Sequence, residues 1–163
     1  MSLRRFVRSC FVLSFAFFAP LASASTFAPS SIAGNTTWDA ASGPYIVNSM
    51  IDVPSGTTLT ILPGTVVKFG IASGATIEGS LVSDGAIFTS TRDDSAGGDT
   101  NNDADATAPA PGNWSSIVVN PGGIARIVGG EIRYGGYCCF YFGTFTNQGG
   151  EITLDGVTMR EHL

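Results

Sequence analysis

A single histidine, His162, stands in a chain of 163 residues, and only 13% of the residues are charged. One imidazole leaves little room for His-dependent catalysis or a His-rich metal site. Basic residues are also scarce, 8 Lys and Arg against 13 Asp and Glu, for a net charge of −5. That balance excludes a general nucleic-acid binder, which needs a basic surface to displace counterions from phosphates. No window of a dozen residues carries helical periodicity, and the 21 glycines are foreign to helix bundles. The low charge argues against disorder, and the length suits one domain or a short solenoid.

The amino end has the pattern of a cleavable export signal. Arg4, Arg5 and Arg8 form a positive region, Cys10 to Ala19 an apolar one, Pro20 a break, and Ala22-Ser23-Ala24 a small-residue cleavage site. The apolar run is too short to span a bilayer comfortably, and Ser25 stands where a lipoprotein would need cysteine. Residues 1–24 are therefore expected to be a signal peptide cut after Ala24, with 25–163 as the mature domain. Cleavage leaves five basic residues against 13 acidic ones, a net charge of −8. It also leaves two cysteines, Cys138 and Cys139, and no further membrane span. The expected location is the periplasm, the cell surface or the medium.

From Asn35 onward, short β-branched runs with period-two alternation are separated by glycine turns, so the mature chain is expected to be all-β. Predicted strands cover 58–61, 65–69, 75–78, 80–83, 86–90, 114–119, 124–128 and 131–134. Ile127-Val128-Gly129-Gly130-Glu131-Ile132-Arg133 lines up with Leu154-Asp155-Gly156-Val157-Thr158-Met159-Arg160 at a spacing of 27. A hairpin sandwich has no reason to repeat at that distance, whereas a coil of a parallel solenoid does. In that architecture Leu59, Ile61, Val67, Phe69, Ile77, Leu81, Phe88, Ile117, Val119, Ile127, Ile132, Leu154 and Met159 fill the interior. Lys68, Glu78, Arg126 and Arg133 point outward. Trp38 and Trp114 are expected to be packing anchors of their coils.

The stretch Thr37-Trp38, Gly43-Pro44-Tyr45 and Leu59-Thr60-Ile61-Leu62-Pro63-Gly64-Thr65-Val66-Val67-Lys68-Phe69 resembles the opening coils of exported bacterial right-handed parallel β-helix repeat proteins of the pectate-lyase-like superfamily. Phe88-Thr89-Ser90, Asp93-Asp94, Gly97-Gly98-Asp99-Thr100-Asn101 and Pro109 to Trp114 look like that family's acidic insertion, and Ile132-Arg133-Tyr134-Gly135-Gly136 like its coil-ending motif. The resemblance implies a right-handed parallel β-helix of few coils: amino-terminal coils over 35–90, an acidic insertion over 92–113, and further coils over 114–163. Family members usually continue further, so the chain is expected to be an amino-terminal fragment whose last coil is covered by missing coils or a capping partner. The fold carries lyases, hydrolases, adhesins and spacers, and names no single activity.

Five of the thirteen acidic residues lie between Asp93 and Asp105, with no basic residue between Arg92 and Arg126. Crowded carboxylates call for something positive among them. Asp93, Asp94, Asp99, Asn101, Asp103 and Asp105 supply hard oxygen donors, many at alternate positions, which suits a loop wrapping Ca2+. This is not an EF-hand, since Ala104 takes the turn-glycine position and Ala110 the position of the twelfth-residue Glu. The same composition also suits a solvated surface loop. Catalysis by two opposed carboxylates is disfavoured because the aspartates are confined to one loop.

A second cluster runs from Tyr134 to Phe145. Exposed Tyr134, Tyr137, Phe140, Tyr141 and Phe142 would offer faces to a glycan or a partner protein; the alternative is a hydrophobic loop folded back on its own coil. Cys138 and Cys139, in an oxidising compartment, would form a vicinal disulfide or pair with another chain. Together these features point to a non-catalytic exported module with a structural or adhesive role at the cell envelope. It would carry a Ca2+-stabilised loop and bind an extracellular glycan or surface protein. The alternatives are a polysaccharide lyase or glycoside hydrolase, and an inert fragment of a larger surface protein.

Overall fold

The structure is a computed structural model that describes residues 24–137 and 143–162. Its fifteen strands are β1 (Thr26–Phe27), β2 (Thr36–Trp38), β3 (Tyr45–Val47), β4 (Met50–Val53), β5 (Thr58–Ile61), β6 (Val66–Phe69), β7 (Gly74–Ile77), β8 (Ser80–Asp84), β9 (Ile87–Ser90), β10 (Ile117–Val119), β11 (Ile124–Val128), β12 (Glu131–Arg133), β13 (Phe145–Asn147), β14 (Glu151–Asp155) and β15 (Thr158–Arg160). There is no helix among the described residues.

The strands form three parallel sheets: β1-β3-β6-β9-β12-β15, β13-β10-β7-β4, and β14-β11-β8-β5-β2. From β2 onward each strand pairs with the third strand after it, so the chain visits the three sheets in turn and returns one strand spacing further along. Thr58 pairs with Ser80, 22 residues on, and Ile127 pairs with Leu154 at the spacing of 27 expected from the sequence. Glu131, Ile132 and Arg133 pair with Thr158, Met159 and Arg160, so the internal repeat is a strand register.

Alternation decides which side chains enter the core. In β5 Leu59 and Ile61 are buried while Thr58 and Thr60 are half-buried on the other face. Parallel register then stacks like on like: Leu59, Leu81, Ala125 and Ile152 form one column, and Val67, Phe88, Ile132 and Met159 another. The interior is filled by these columns, and the void at its centre is only about 10 Å³. Trp38 stacks on Tyr45 and Trp114 on Phe69, each with ring centroids 4.5 Å apart, so both tryptophans are packing anchors as expected.

Where successive passes turn between sheets, backbones approach closely. A Cβ at Gly123 would overlap the Ile77 carbonyl oxygen, and one at Gly130, whose φ is +73°, would overlap that of Ala86. Only glycine meets both demands at Gly130.

Two expectations about side-chain placement need correction. Leu154 and Met159 belong to the interior columns but are 39% and 41% exposed, because no strand pairs with the outer edge of β14 or β15 among the described residues. Lys68 and Arg133 leave the core as period two requires, yet they are 0% and 7% exposed. They are covered by the segment between β9 and β10. From Phe69 to Ala75 the chain needs six residues, whereas the paired positions Ser90 to Ile117 take 27, and the surplus is the acidic insertion. Glu78 and Arg126 are exposed as expected.

A candidate cation site in the acidic insertion

The insertion folds back over the outer face of the β3-β6-β9-β12 sheet. One outward row of that sheet contains Ile46, Lys68 and Thr89 in register, then Arg133 and Arg160. On an uncovered sheet such a row would be solvated; here Ile46, Lys68, Thr89 and Arg133 are all buried. The insertion re-enters the fold at Trp114, whose Nε1 donates to the Arg133 carbonyl oxygen at 2.7 Å.

Two wall cations hold the insertion down. The Arg133 guanidinium donates to Asp93 Oδ2 at 3.0 Å and to Ser95 Oγ at 3.2 Å. Asp93 also accepts from Thr89 Oγ1 at 2.6 Å and from Ser95 Oγ at 2.5 Å. Burial alone would raise the Asp93 pKa, but the bonds from Ser95 and Thr89 and the Arg133 charge outweigh it and hold the carboxyl below its usual range. The second cation, Lys68, donates through Nζ to the Gly98 carbonyl oxygen at 2.5 Å. Its burial pulls the ammonium pKa down, against the opposing pull of Asp94, Asp93 and Asp99. The positive charge required by the crowded aspartates is thus supplied in part by the sheet.

Beyond these anchors, Asp94, Asp99 and Asp103 place one carboxylate oxygen each within 4.8 Å of one another. The loop is wound tightly enough for this by left-handed residues at Asn102 and Ala104, with φ of 56° and 53°. Asp99 caps the winding by accepting from the amides of Asp103 at 3.3 Å and Ala104 at 2.9 Å. Asp103 Oδ2 accepts from Thr107 Oγ1 at 2.5 Å and from Asn101 Nδ2 at 2.9 Å. Those bonds leave three buried oxygens with no hydrogen-bond partner: Asp94 Oδ1, Asn101 Oδ1 and Asp103 Oδ1. Burial, followed by the Asp99 charge and those of Asp103 and Asp105, pushes the Asp94 pKa up, with Lys68 opposing. The arrangement has the donor chemistry of a hard-cation site: carboxylate and amide oxygens lacking their usual partners.

Of the six residues expected to ligate, the structure groups Asp94, Asp99 and Asp103, with Asn101 bonded to the last. Asp93 is taken up by Arg133, Thr89 and Ser95, and Asp105 lies outside the trio. Sequence reasoning missed Lys68, Arg133 and Thr89 as parts of the site. The available signal was their period-two position in strands that flank the insertion.

In the aromatic cluster, Tyr134 and Tyr137 are half-buried. Burial, a hydrogen bond to Glu161 and the nearby Asp93 charge push the Tyr134 phenol up to about 12. Phe140, Tyr141, Phe142, Cys138 and Cys139 lie outside the described residues, as does the expected signal peptide up to residue 23. His162 Nδ1 sits 2.9 Å from Thr144 Oγ1, and burial lowers its pKa. No helix of the described residues is long and apolar enough to cross a membrane. No family model matches the chain, and no curated protein or solved structure matches it.

Proposed function

We propose that the chain is an exported right-handed parallel β-helix module, without catalytic activity, that presents a Ca2+-stabilised insertion at the cell envelope to a glycan or a surface protein. The strand order supports the solenoid: every third strand stacks in parallel register over most of the described chain. Right-handed winding is the handedness that parallel crossovers adopt almost without exception. The arginine-rich, apolar amino end supports export.

The observation that carries the functional reading is the grouping of Asp94, Asp99 and Asp103 beside the three unpartnered oxygens. Ca2+ there would take carboxylate oxygens from the trio and the Asn101 amide oxygen, and would offset the burial and the carboxylate repulsion that raise the Asp94 pKa. A lyase or hydrolase of the same fold is the alternative. It needs an accessible base; Lys68 and Arg133 are buried beneath the insertion, which leaves half-buried Arg92 as the cation open to a substrate beside Asp94 and Asp105.

The test is a thermal melt in Ca2+ and in EDTA, paired with glycan-array binding and an assay for unsaturated or reducing sugar ends. At a Ca2+ concentration 100 times the dissociation constant, linkage stabilises the bound form by about 2.7 kcal/mol. The wild type is expected to melt higher in Ca2+, and the Asp103→Asn variant to lose most of that difference. Equal melting in both media would remove the cation, and released sugar ends would replace the module with an enzyme.

A further inference from the structure

Between the insertion and the sheet wall lies an open cleft of about 330 Å³, lined by Arg92, Asp94, Asp105, Thr107, Pro109 and Tyr134 among others. That volume falls at the low end of small-ligand sites, roughly 300–1,000 Å³. The interior of the fold, with its void of about 10 Å³, has no comparable space.

The walls of the cleft are fixed. Tyr134 holds a left-handed backbone, φ 63°, which a tyrosine adopts only where its surroundings impose it. Its amide donates to the Glu161 carbonyl oxygen at 3.1 Å, and its own carbonyl accepts from the Trp114 amide at 3.4 Å. Its half-buried side chain packs in part on the hydrophobic core, and the rest of it lines the cleft. Thr107 is held by its bond to Asp103, and the pyrrolidine of Pro109 adds a second apolar surface.

Charge narrows the ligand class. Asp93 also borders the cleft, but Arg133 neutralises it. Arg92 makes no ion pair among the described residues and faces the same space as Asp94 and Asp105. A polyanion would meet the two carboxylates, and an ammonium or guanidinium group would meet Arg92. With Ca2+ shared by Asp94, Asp99 and Asp103 that group falls to a net −1, and Arg92 and Asp105 offset each other, so the cleft is close to neutral. The cleft therefore suits an uncharged ligand that has an apolar face for Tyr134 and Pro109 and hydroxyls that both donate and accept at its edge.

We propose that this cleft is a subsite for one uncharged hexopyranose unit, its C–H face against Tyr134 and Pro109 and its hydroxyls bonded to Arg92 and Asp105. The proposal rests on the reading of the chain as a glycan-presenting module and assigns that reading a place and a sugar class.

The test is an amide-resolved NMR titration of the full chain, expressed for export and recovered folded, with methyl β-glucopyranoside, methyl β-galactopyranoside, galacturonate and N-acetyl-lysine amide in Ca2+. The expected result is saturable shifts at Arg92, Asp105, Thr107 and Tyr134 with at least one neutral glycoside, and none there with galacturonate or the lysine derivative. Tyr134→Asn tolerates the left-handed backbone and removes the ring; it should weaken binding about tenfold. Asp105→Ala should do likewise. Arg126→Gln, on an exposed strand position that does not line the cleft, should keep the shifts. Shifts with the lysine derivative instead would overturn the proposal in favour of a basic peptide. Glycoside shifts confined to other residues would overturn the cleft but spare the glycan reading. Silence from every sugar, here and on the array, would remove both.

Discussion

Replacing Arg133 by Met tests whether the insertion is held by charge or merely lies against the sheet. The Arg133 and Asp93 side chains are 9% and 2% exposed with nitrogen and oxygen 3.0 Å apart, so the pair is screened little by solvent. Removing one partner of a buried pair costs about 3–5 kcal/mol, because the other charge stays behind. Asp93 keeps its bonds from Thr89 and Ser95, which places Arg133→Met at the lower end, about 3 kcal/mol. The methionine replaces the aliphatic stem, so little packing is lost. The change falls on a local opening, and native-state hydrogen exchange reads it directly. The Asp93 and Ala96 amides donate to the carbonyls of Ser90 and Asp93. Their protection should fall roughly 100-fold at pH 7.

Acid gives the same experiment a second axis. In the wild type the Asp93 pKa is depressed, so its contribution is present in full above the unfolded carboxylate value, about 3.9, and is lost as pH falls through the lower folded value. In the variant the Ser95 and Thr89 bonds remain but the Arg133 charge is gone, so the Asp93 pKa lies higher than in the wild type, and protonation relieves the stranded charge sooner. The gap between variant and wild type should therefore shrink as pH falls through the carboxylate range. Protection in Arg133→Met within twofold of the wild type, or a gap that widens with acid, would refute the argument.

The fold makes further predictions. Ser83 lies in an interior column with its hydroxyl buried and unpartnered, so Ser83→Ala should raise stability by about 0.5–1 kcal/mol, read as a higher melting temperature. Ile127 and Leu154 are register partners at different depths: Ile127→Ala should cost about 2–5 kcal/mol by denaturant titration, and Leu154→Ala less than half as much. Gly130→Ala combines a strained φ with overlap on the Ala86 carbonyl, and should depress the melting temperature more than Gly122→Ala, which has the same sign of φ and open space around it.

The all-β class and the spacing of 27 were both legible in the sequence. They depend on local chemistry: β-branched alternation and glycine at the turns. The strands over 45–53 were harder to read, because Tyr45–Val47 and Met50–Val53 meet with no glycine between them. Most interior residues follow from period two, but Leu154 and Met159 do not, since their burial depends on a neighbouring strand rather than on their own pattern.

The sequence by itself determined which segments become strands, which positions face the core, and where oxygen donors concentrate. Only the tertiary structure decided how those donors are used. Lys68 and Arg133 are 65 residues apart in the chain, yet parallel stacking puts them in one outward row, and the insertion closes over it. That contact draws Asp93 to Arg133 and leaves Asp94, Asp99 and Asp103 to gather beside it. Composition records that carboxylates are crowded. Which of them meets a cation from the wall depends on distances of a few ångströms between strands remote in sequence, and Coulomb forces act over those distances rather than along the chain.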